Sequence, residues 1–575
     1  LGWVSAGEID GLRIDHPDGL RDPRQYFQRL RAAAPEAWIV AEKILEGDEP
    51  LPADWPIDGT TGYDFLNRVG GLFVDPRAAA VFDRIYASFA ADEASFDELC
   101  RAKKRLVLRD LLGSDLSRLT EAFVLLCEDE LAYRDYSRDQ LRAALAETLV
   151  RLPVYRTYVD DQGEASERDR RILAEAICAA AAARADLDGD LFAFLGEVLT
   201  GRHEGAAADE LRNRIQQLAG PTMAKGVEDT AFFCYPRLLC LNEVGGDPSR
   251  FGTEPSAFHE HALRIQRDWP RTMNATTTHD TKRSEDARLR LAVLTEIPER
   301  WEHEVAAWAR HHRDAGAVAA IDGPTEYLLY QTLVAAWPID HERLWRFAQK
   351  AAREAKTETS WTEPNEEYEK RLERFCARLV GDDVFVGRVD AFVRSILDGA
   401  RRHSLAQMAI KLCAPGVPDI YQGTELWDDS LTDPDNRRPV DFAARAAMLD
   451  AVEKLDTAPT SLEVGSAEAK LWMAQRLLLL RRRHVEAFGP ASGYRALAAE
   501  GSQAERVVGF LRDERVAVVI GRWWTTFDGD WGGTFVDLPE GRWTNVLADG
   551  ATVGDRVPMA RLLETFSVAV IVRGG

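Results

Sequence analysis

The chain has 575 residues, 46% of them hydrophobic and 29% charged, the make-up of a globular protein of two or three domains rather than of a disordered or fibrous one. Its 72 basic against 95 acidic side chains leave a net charge of −23, which argues against nucleic acid or an anionic membrane as partner and favours a neutral or small substrate. Seven scattered cysteines form no C-x-x-C pair, no apolar run approaches the ~20 residues of a bilayer span, and the N-terminus lacks signal-peptide character, so the expected location is the cytoplasm.

Three strand signals open the chain, at Gly11–Asp15, Trp38–Ile44 and Thr60–Phe65, with short helical stretches between them, the alternating rhythm of an α/β fold. From about 77 to 270 the periodicity is helical almost throughout. Ser114 reads as the cap of a helix whose apolar residues Leu116, Leu119, Phe123 and Leu126 recur three or four apart. A second helix opens at Ser166, with Asp169 three residues on, and is expected to stop near Gly189. Strand character returns at Met273–Asp280, gives way to a helical block from about 283 to 411, and returns at Pro418–Tyr421. Helices follow, the clearest at Ala467–Arg483. The end of the chain changes to short strands at Arg506–Leu511, Val516–Ile520, Thr534–Leu538 and Phe566–Ile571 with Asp/Gly turns between them, which predicts a small β-sandwich.

Asp15, Glu42 and Asp280 each end a strand-like run beside a basic or polar neighbour. Carboxyl ends of strands are where α/β barrels keep their chemistry, so the three acids read as one site assembled from three loops. Singly, each reads better as a carboxylate solvated in a turn. The G-x-R-x-D pattern of Gly11–Asp15, the strand ending in Glu42 and the pair His279-Asp280 resemble the α-amylase superfamily of glycoside hydrolases and transglycosidases. The runs GLRIDHPDGLRDP, AEKILEGDEPLP, GTTGYDFLNRV, GPTMAKGVEDTAFF, LNEVGGDP, TTTHDTKRSEDARLR and PGVPDIYQGTELWDDSLTDPDNRRPVD, in that order, are similar to those of the maltooligosyltrehalose synthases within it.

That resemblance implies a TIM (β/α)8 barrel of α-amylase type, with strands four to six in residues 1–76 and strands seven and eight, with a helical insert, in 271–445. It further implies a large helical insertion in 77–270, a helical linker region in 446–500 and a C-terminal β-sandwich in 501–575. The first three strands, and an Asp and a His from an early loop, are absent from the sequence, so an N-terminal segment of the same enzyme is expected to complete the barrel.

By the same resemblance Asp15 is the nucleophile, Glu42 the acid/base, and Asp280 the carboxylate that grips sugar hydroxyls as the oxocarbenium-like state forms, with His279 donating to the same hydroxyls. A retaining reaction needs two carboxyls about 5–5.5 Å apart, one ionised and one protonated, and Asp15 and Glu42 are the natural pair. Arg13, two residues before Asp15 and on the same side of the strand, would hold the nucleophile ionised; a structural salt bridge is the plainer alternative. His16 and Lys43 agree with the trehalose-forming branch or are solvated charges at a rim, and Asp18 is a turn cap or a ligand. Lys225 and Glu228 would reach the reducing-end sugar, or belong to a solvated helix face. Trp427, Asp433, Asp435, Asn436 and Arg437 are candidates for the pocket rim, or form a Pro-bounded turn. Asp186, Asp188, Asp190 and Glu197 mimic calcium-loop spacing, but Leu191 stands where such a loop needs glycine, and no zinc spacing or phosphate loop appears.

The activity implied is an isomerisation of maltooligosaccharides without a cofactor, in which the α-1,4 bond before the reducing-end glucose becomes an α,α-1,1 bond. An ordinary retaining α-glucan hydrolase and a non-catalytic glucan-binding protein are the alternatives.

Overall fold

The computed structural model describes residues 1–90, 94–314, 321–455, 459, 467–548, 550 and 552–574. The chain divides into two compact units, one of Leu1–Ile57, Glu93–Tyr235 and Glu354–Lys356, the other of Asp58–Asp92, Pro236–Arg353 and Thr357–Gly575.

In the first unit, strand β1 (Gly11–Ile14) pairs in parallel with strand β2 (Trp38–Ala41), Gly11 opposite Trp38 and Ile14 opposite Ala41. The connection is the helix Pro23–Ala33, whose start is set by Pro23 in the first turn and by Asp22, which accepts from the Gln25 amide at 2.9 Å. Ile39, Val40 and Ala41 are all buried, as a short apolar run suits a parallel strand covered on both faces. Both strands are shorter than their sequence signals because Asp15 and the residues after Ala41 turn away into loops.

The rest of this unit is helical. Ser95–Glu98 and Ser137–Gln140 form capping boxes for Phe96–Asp110 and Arg138–Arg151, and Ser166 caps Glu167–Ala183 by accepting from the Asp169 amide at 3.0 Å. Two expectations are corrected here. Ser114 lies inside the helix Gly113–Asp129, whose cap position is Leu112 with no side-chain bond. The helix from Ser166 ends at Ala183, and Asp188 caps a separate helix, Gly189–Leu199, which also accounts for the first acids of the calcium-like spacing. Leu108, Phe123, Leu145, Leu195 and Leu211, one from each of five helices, meet in a common core. The helix Ala206–Met223 carries Pro221, which removes a donor from the ladder, and runs on into the π-helix Ala224–Ala231.

In the second unit the expected strand Thr60–Phe65 is a two-residue strand, Gly59–Thr60, followed by the helix Tyr63–Gly71. Gly62 makes the switch, with φ +94; a Cβ there would lie 2.5 Å from the Ala275 amide nitrogen, so only glycine fits. The expected strands at 273–280 and 418–421 shrink to Met273–Asn274 and Val417–Pro418, paired in parallel. Between them, Trp301, Trp308, Tyr327, Phe385 and Phe392 bury an aromatic cluster, with Trp301 and Trp308 edge-to-face at 5.5 Å. Residues 315–320 of the expected helical block and 456–458 and 460–466 of the expected linker lie outside the described residues.

The chain ends in an antiparallel six-stranded sheet, ordered Thr552–Val553, Trp543–Asn545, Val568–Arg573, Val516–Gly521, Val507–Arg512 and Tyr494–Leu497. A three-stranded sheet of Arg556–Pro558, Phe535–Asp537 and Ala499–Glu500 accompanies it. Val536 and Val557 of the smaller sheet share a core with Leu511, Val519 and Ile571 of the larger. No described helix is long and apolar enough to cross a membrane.

Candidate active site

Register fixes the first pair. Because Ile14 lies opposite Ala41, Asp15 and Glu42 leave their strands side by side, and the Glu42 amide donates to the Ile14 carbonyl at 2.9 Å. Arg13 joins them: Nη1 is 2.8 Å from Asp15 Oδ1 and Nη2 is 3.1 Å from Glu42 Oε1. His16, held at φ +41, turns the chain so that its amide donates to Glu42 Oε2 at 3.0 Å.

The two carboxyls have opposite surroundings. Asp15 is 75% exposed and Glu42 14%. The bond from Arg13, seconded by one from Glu42, holds Asp15 below the usual carboxylate range. Burial pushes Glu42 up to about 7, and the neighbouring Asp15 charge adds to this against the opposing pull of the His16 amide and Arg13. One group is therefore poised as an anion and the other as an acid. Such a pair can attack an electrophilic carbon while protonating the group that leaves it.

Lys43 does not belong to this surface. Its side chain is 0% exposed, with Nζ 3.2 Å from Asp18 and 3.3 Å from Glu49, and it donates to the Ile44 carbonyl at 2.8 Å. Burial alone would lower its pKa, but the two carboxylates overcome this and raise it. The expectation that Lys43 binds substrate is corrected: the residue following Glu42 along the extended chain points inward when Glu42 points out. Asp18 is likewise an interior anchor, accepting from Tyr158, while Arg156 Nη1 donates to its backbone carbonyl at 2.7 Å.

Lys225 and Glu228 both lie on the π-helix Ala224–Ala231. Lys225 is half exposed and its Nζ lies 2.8 Å from Asp229 Oδ2. Glu228 accepts a hydrogen bond from the Tyr155 hydroxyl.

In the second unit, His279 Nε2 lies 3.1 Å from Asp280 Oδ2 and Arg437 Nη2 3.9 Å from Oδ1, with both acid and imidazole partly exposed. Their loop is pinned from behind by the buried Asn436, whose Nδ2 donates to the His279 carbonyl at 2.9 Å. Asp435, expected to bind substrate, is consumed by structure: Arg343 grips it through Nε and Nη2 at 2.9 Å each, and the Leu431 amide donates to it at 2.7 Å. Asp433 pairs with Arg437 at 2.8 Å, and Trp427 lies beneath the Arg401 guanidinium at 5.0 Å. The acids just after Asp280 are interior too. Burial would raise Glu285, but Lys411 and Lys470 prevail and hold it lowered.

The sequence reading did not single out Tyr155, Glu46 or Lys104, all partners of the π-helix segment. The one available signal was the aromatic pair of Pro153-Val-Tyr-Arg-Thr-Tyr158, a non-helical run inside a helical region. Among the described residues, no group of three or more His, Cys, Asp or Glu is arranged to hold a metal ion.

No family model matches the sequence. A curated Mycobacterium tuberculosis protein named "Putative maltooligosyl trehalose synthase" is 36% identical over 581 aligned positions, covering 99% of this chain and 70% of its own length. The solved maltooligosyltrehalose synthase of Arthrobacter ramosus is 37% identical with a TM-score of 0.89, covering 100% of this chain and 71% of its own. A hypothetical maltooligosyl trehalose synthase of Sulfolobus tokodaii is 31% identical with a TM-score of 0.76, covering 98% of this chain and 70% of its own.

Proposed function

The chain belongs to the maltooligosyltrehalose synthase family, and from that premise we propose how its residues divide the work. The activity is an intramolecular transglucosylation: the α-1,4 bond before the reducing-end glucose of a maltooligosaccharide is broken, and that glucose is rejoined through its own anomeric hydroxyl as an α,α-1,1 link. Asp15 attacks the anomeric carbon while Glu42 gives its proton to the departing oxygen, leaving a glycosyl-enzyme ester and a free glucose. Glu42, now a base, takes the proton from the anomeric hydroxyl of that glucose as it attacks the ester, so the carboxyls return to their starting states. Asp280 and His279 grip the sugar hydroxyls as positive charge develops. Lys225 and Glu228 hold the reducing-end glucose between the two steps.

The observation that carries this reading is the split between neighbouring carboxyls, Asp15 lowered by Arg13 and Glu42 raised by burial to about 7. Parallel pairing of β1 with β2, and of Met273–Asn274 with Val417–Pro418, supports reading these strands as parts of an α-amylase-type barrel. The two C-terminal antiparallel sheets with their common core support the β-sandwich. The test is product analysis with maltopentaose. Non-reducing, trehalose-ended product is expected; a rise in reducing sugar without it would make the chain a hydrolase, and binding without turnover would make it a glucan-binding protein.

A further inference from the structure

The segment Lys225-Gly226-Val227-Glu228 sits on a π-helix, a rare form of helix, and side-chain anchors fix where its polar groups point. Two anchors are visible. Gly226 lies directly on the helix Phe96–Asp110: a Cβ at this position would meet Lys104 Cγ at 2.9 Å and Lys104 Cα at 3.0 Å, so the glycine between Lys225 and Glu228 is what lets the backbones touch. The buried Lys104 ammonium then donates to the Leu152 carbonyl at 2.8 Å, three residues before Tyr155. The second anchor is Tyr155 itself. Its ring is 4% exposed, its hydroxyl donates to Glu228 Oε1, and Lys43 Nζ lies 5.8 Å from its ring centroid. Tyr155 thus reaches from the lysine beside the acid/base Glu42 to the glutamate of the π-helix.

The surroundings keep this contact in one protonation state. Burial, with the Glu228 and Glu46 charges, holds the Tyr155 phenol far above its ordinary value, so it remains a donor at every working pH. Burial pushes Glu46 up to about 8, with Glu228 and Glu49 adding to the shift, so near neutrality Glu46 does not contribute a second full negative charge beside Glu228.

We propose that Tyr155 is a positioning residue for the isomerisation: its hydroxyl fixes the Glu228 carboxylate, and with it the face of the π-helix that retains the freed glucose. This rests on the assignment of Lys225 and Glu228 to that glucose. The consequence is specific. Loss of the hydroxyl loosens retention after cleavage, whereas Asp15 and Glu42 are untouched, so the partition between isomerisation and release moves more than the rate of bond cleavage.

The experiment uses Tyr155→Phe, which keeps the ring against Lys43, together with Glu228→Ala, which removes the acceptor, and the double variant. With maltopentaose and labelled free glucose in solution, three quantities are read: glucose released, trehalose-ended product formed, and label carried into that product. Tyr155→Phe is expected to raise the ratio of released glucose to trehalose-ended product about ten- to a hundredfold, the range for one hydrogen bond to a charged group. It should also raise incorporation of label, because the native glucose escapes before it rejoins. The double variant should show no further rise over Glu228→Ala, since both substitutions break the same contact. A shifted ratio in Glu228→Ala with none in Tyr155→Phe, or additive effects, overturns the role of Tyr155 and leaves the Glu228 assignment standing. An unchanged ratio in both single variants overturns that assignment and this proposal with it. A uniform loss of rate with no change in ratio or label would make Tyr155 a fold residue only.

Discussion

The alkaline limb of the pH profile tests the acid/base pair most directly. On the proposed assignment Glu42 must carry a proton to release the leaving oxygen, and its pKa is raised to about 7 chiefly by burial. The sign follows: a raised carboxyl pKa means the active, protonated form prevails below about 7 and is lost as pH rises through it. Such a group is about nine-tenths protonated at pH 6 and about one-tenth at pH 8, so kcat/KM should fall roughly tenfold between them. An unperturbed glutamate would place the limb near 4.5 instead, and its protonated fraction would fall about a hundredfold, not tenfold, between pH 6 and 8. Arg13→Gln separates the two carboxyls. The guanidinium lowers both, so its removal should move the alkaline limb upward and bring an acid limb for Asp15 into view. Because Asp15 is 75% exposed, water screens the loss, so its acid limb should move upward less than a buried carboxyl's would. The assay is initial-rate kcat/KM for maltopentaose from pH 4 to 9, in wild type, Arg13→Gln and Glu42→Gln. A limb that persists in Glu42→Gln, or one centred near 4.5 in wild type, would refute the assignment of the acid.

Three further expectations follow from named contacts. Asp15→Asn should lower kcat at least ~10³-fold with little change in thermal midpoint, because it removes a nucleophile's charge and almost no volume at an exposed position; retention of more than a few per cent of activity would remove Asp15 from that role. Lys225→Ala should shift products of maltopentaose toward free glucose more than it lowers total cleavage, measured as glucose against trehalose-ended sugar; an unchanged ratio at a lower rate would leave Lys225 without a retaining role. Lys43→Met should cost about 3–5 kcal/mol of unfolding free energy in urea, since it leaves Asp18 buried without the Lys43 cation and Glu49 dependent on Arg168 at 3.5 Å. A stable variant with a raised KM would instead return Lys43 to the substrate.

Local signals were legible where chemistry and secondary structure coincide in a few residues. Asp15 and Glu42 each follow an apolar run by one residue, so strand register alone sets them side by side. The terminal strands read clearly because Val516–Gly521 and Val568–Arg573 are unbroken β-branched and small runs bounded by turns. Thr60–Phe65 misled because its aromatic and β-branched residues suit either state, and the deciding contact, Gly62 against Ala275, is more than two hundred residues away in sequence. Lys43 and Asp435 misled for a different reason. Sequence displays charge but not burial, and the groups that neutralise them, Glu49 with Asp18 and Arg343, arrive from other loops. Tyr155 was invisible on the same ground, its carboxylate partner lying 73 residues on.

Isomerisation differs from hydrolysis only in which hydroxyl reaches the glycosyl-enzyme first. An oriented intramolecular partner can reach effective molarities of ~10⁵ M or more, far above any solvent nucleophile, so retention of the glucose is sufficient to decide the outcome. That advantage depends exponentially on how well the glucose is held, whereas bond cleavage has already occurred when retention begins to matter. Residues that act on retention should therefore show in product ratio before they show in rate. On the proposed assignment the π-helix presents Lys225 and Glu228 to that glucose, and the Gly226 contact with Lys104 and the Tyr155 bond to Glu228 hold the segment in place. Straightening the segment into an α-helix would leave the Asp15–Glu42 pair intact and would be expected to leave a hydrolase.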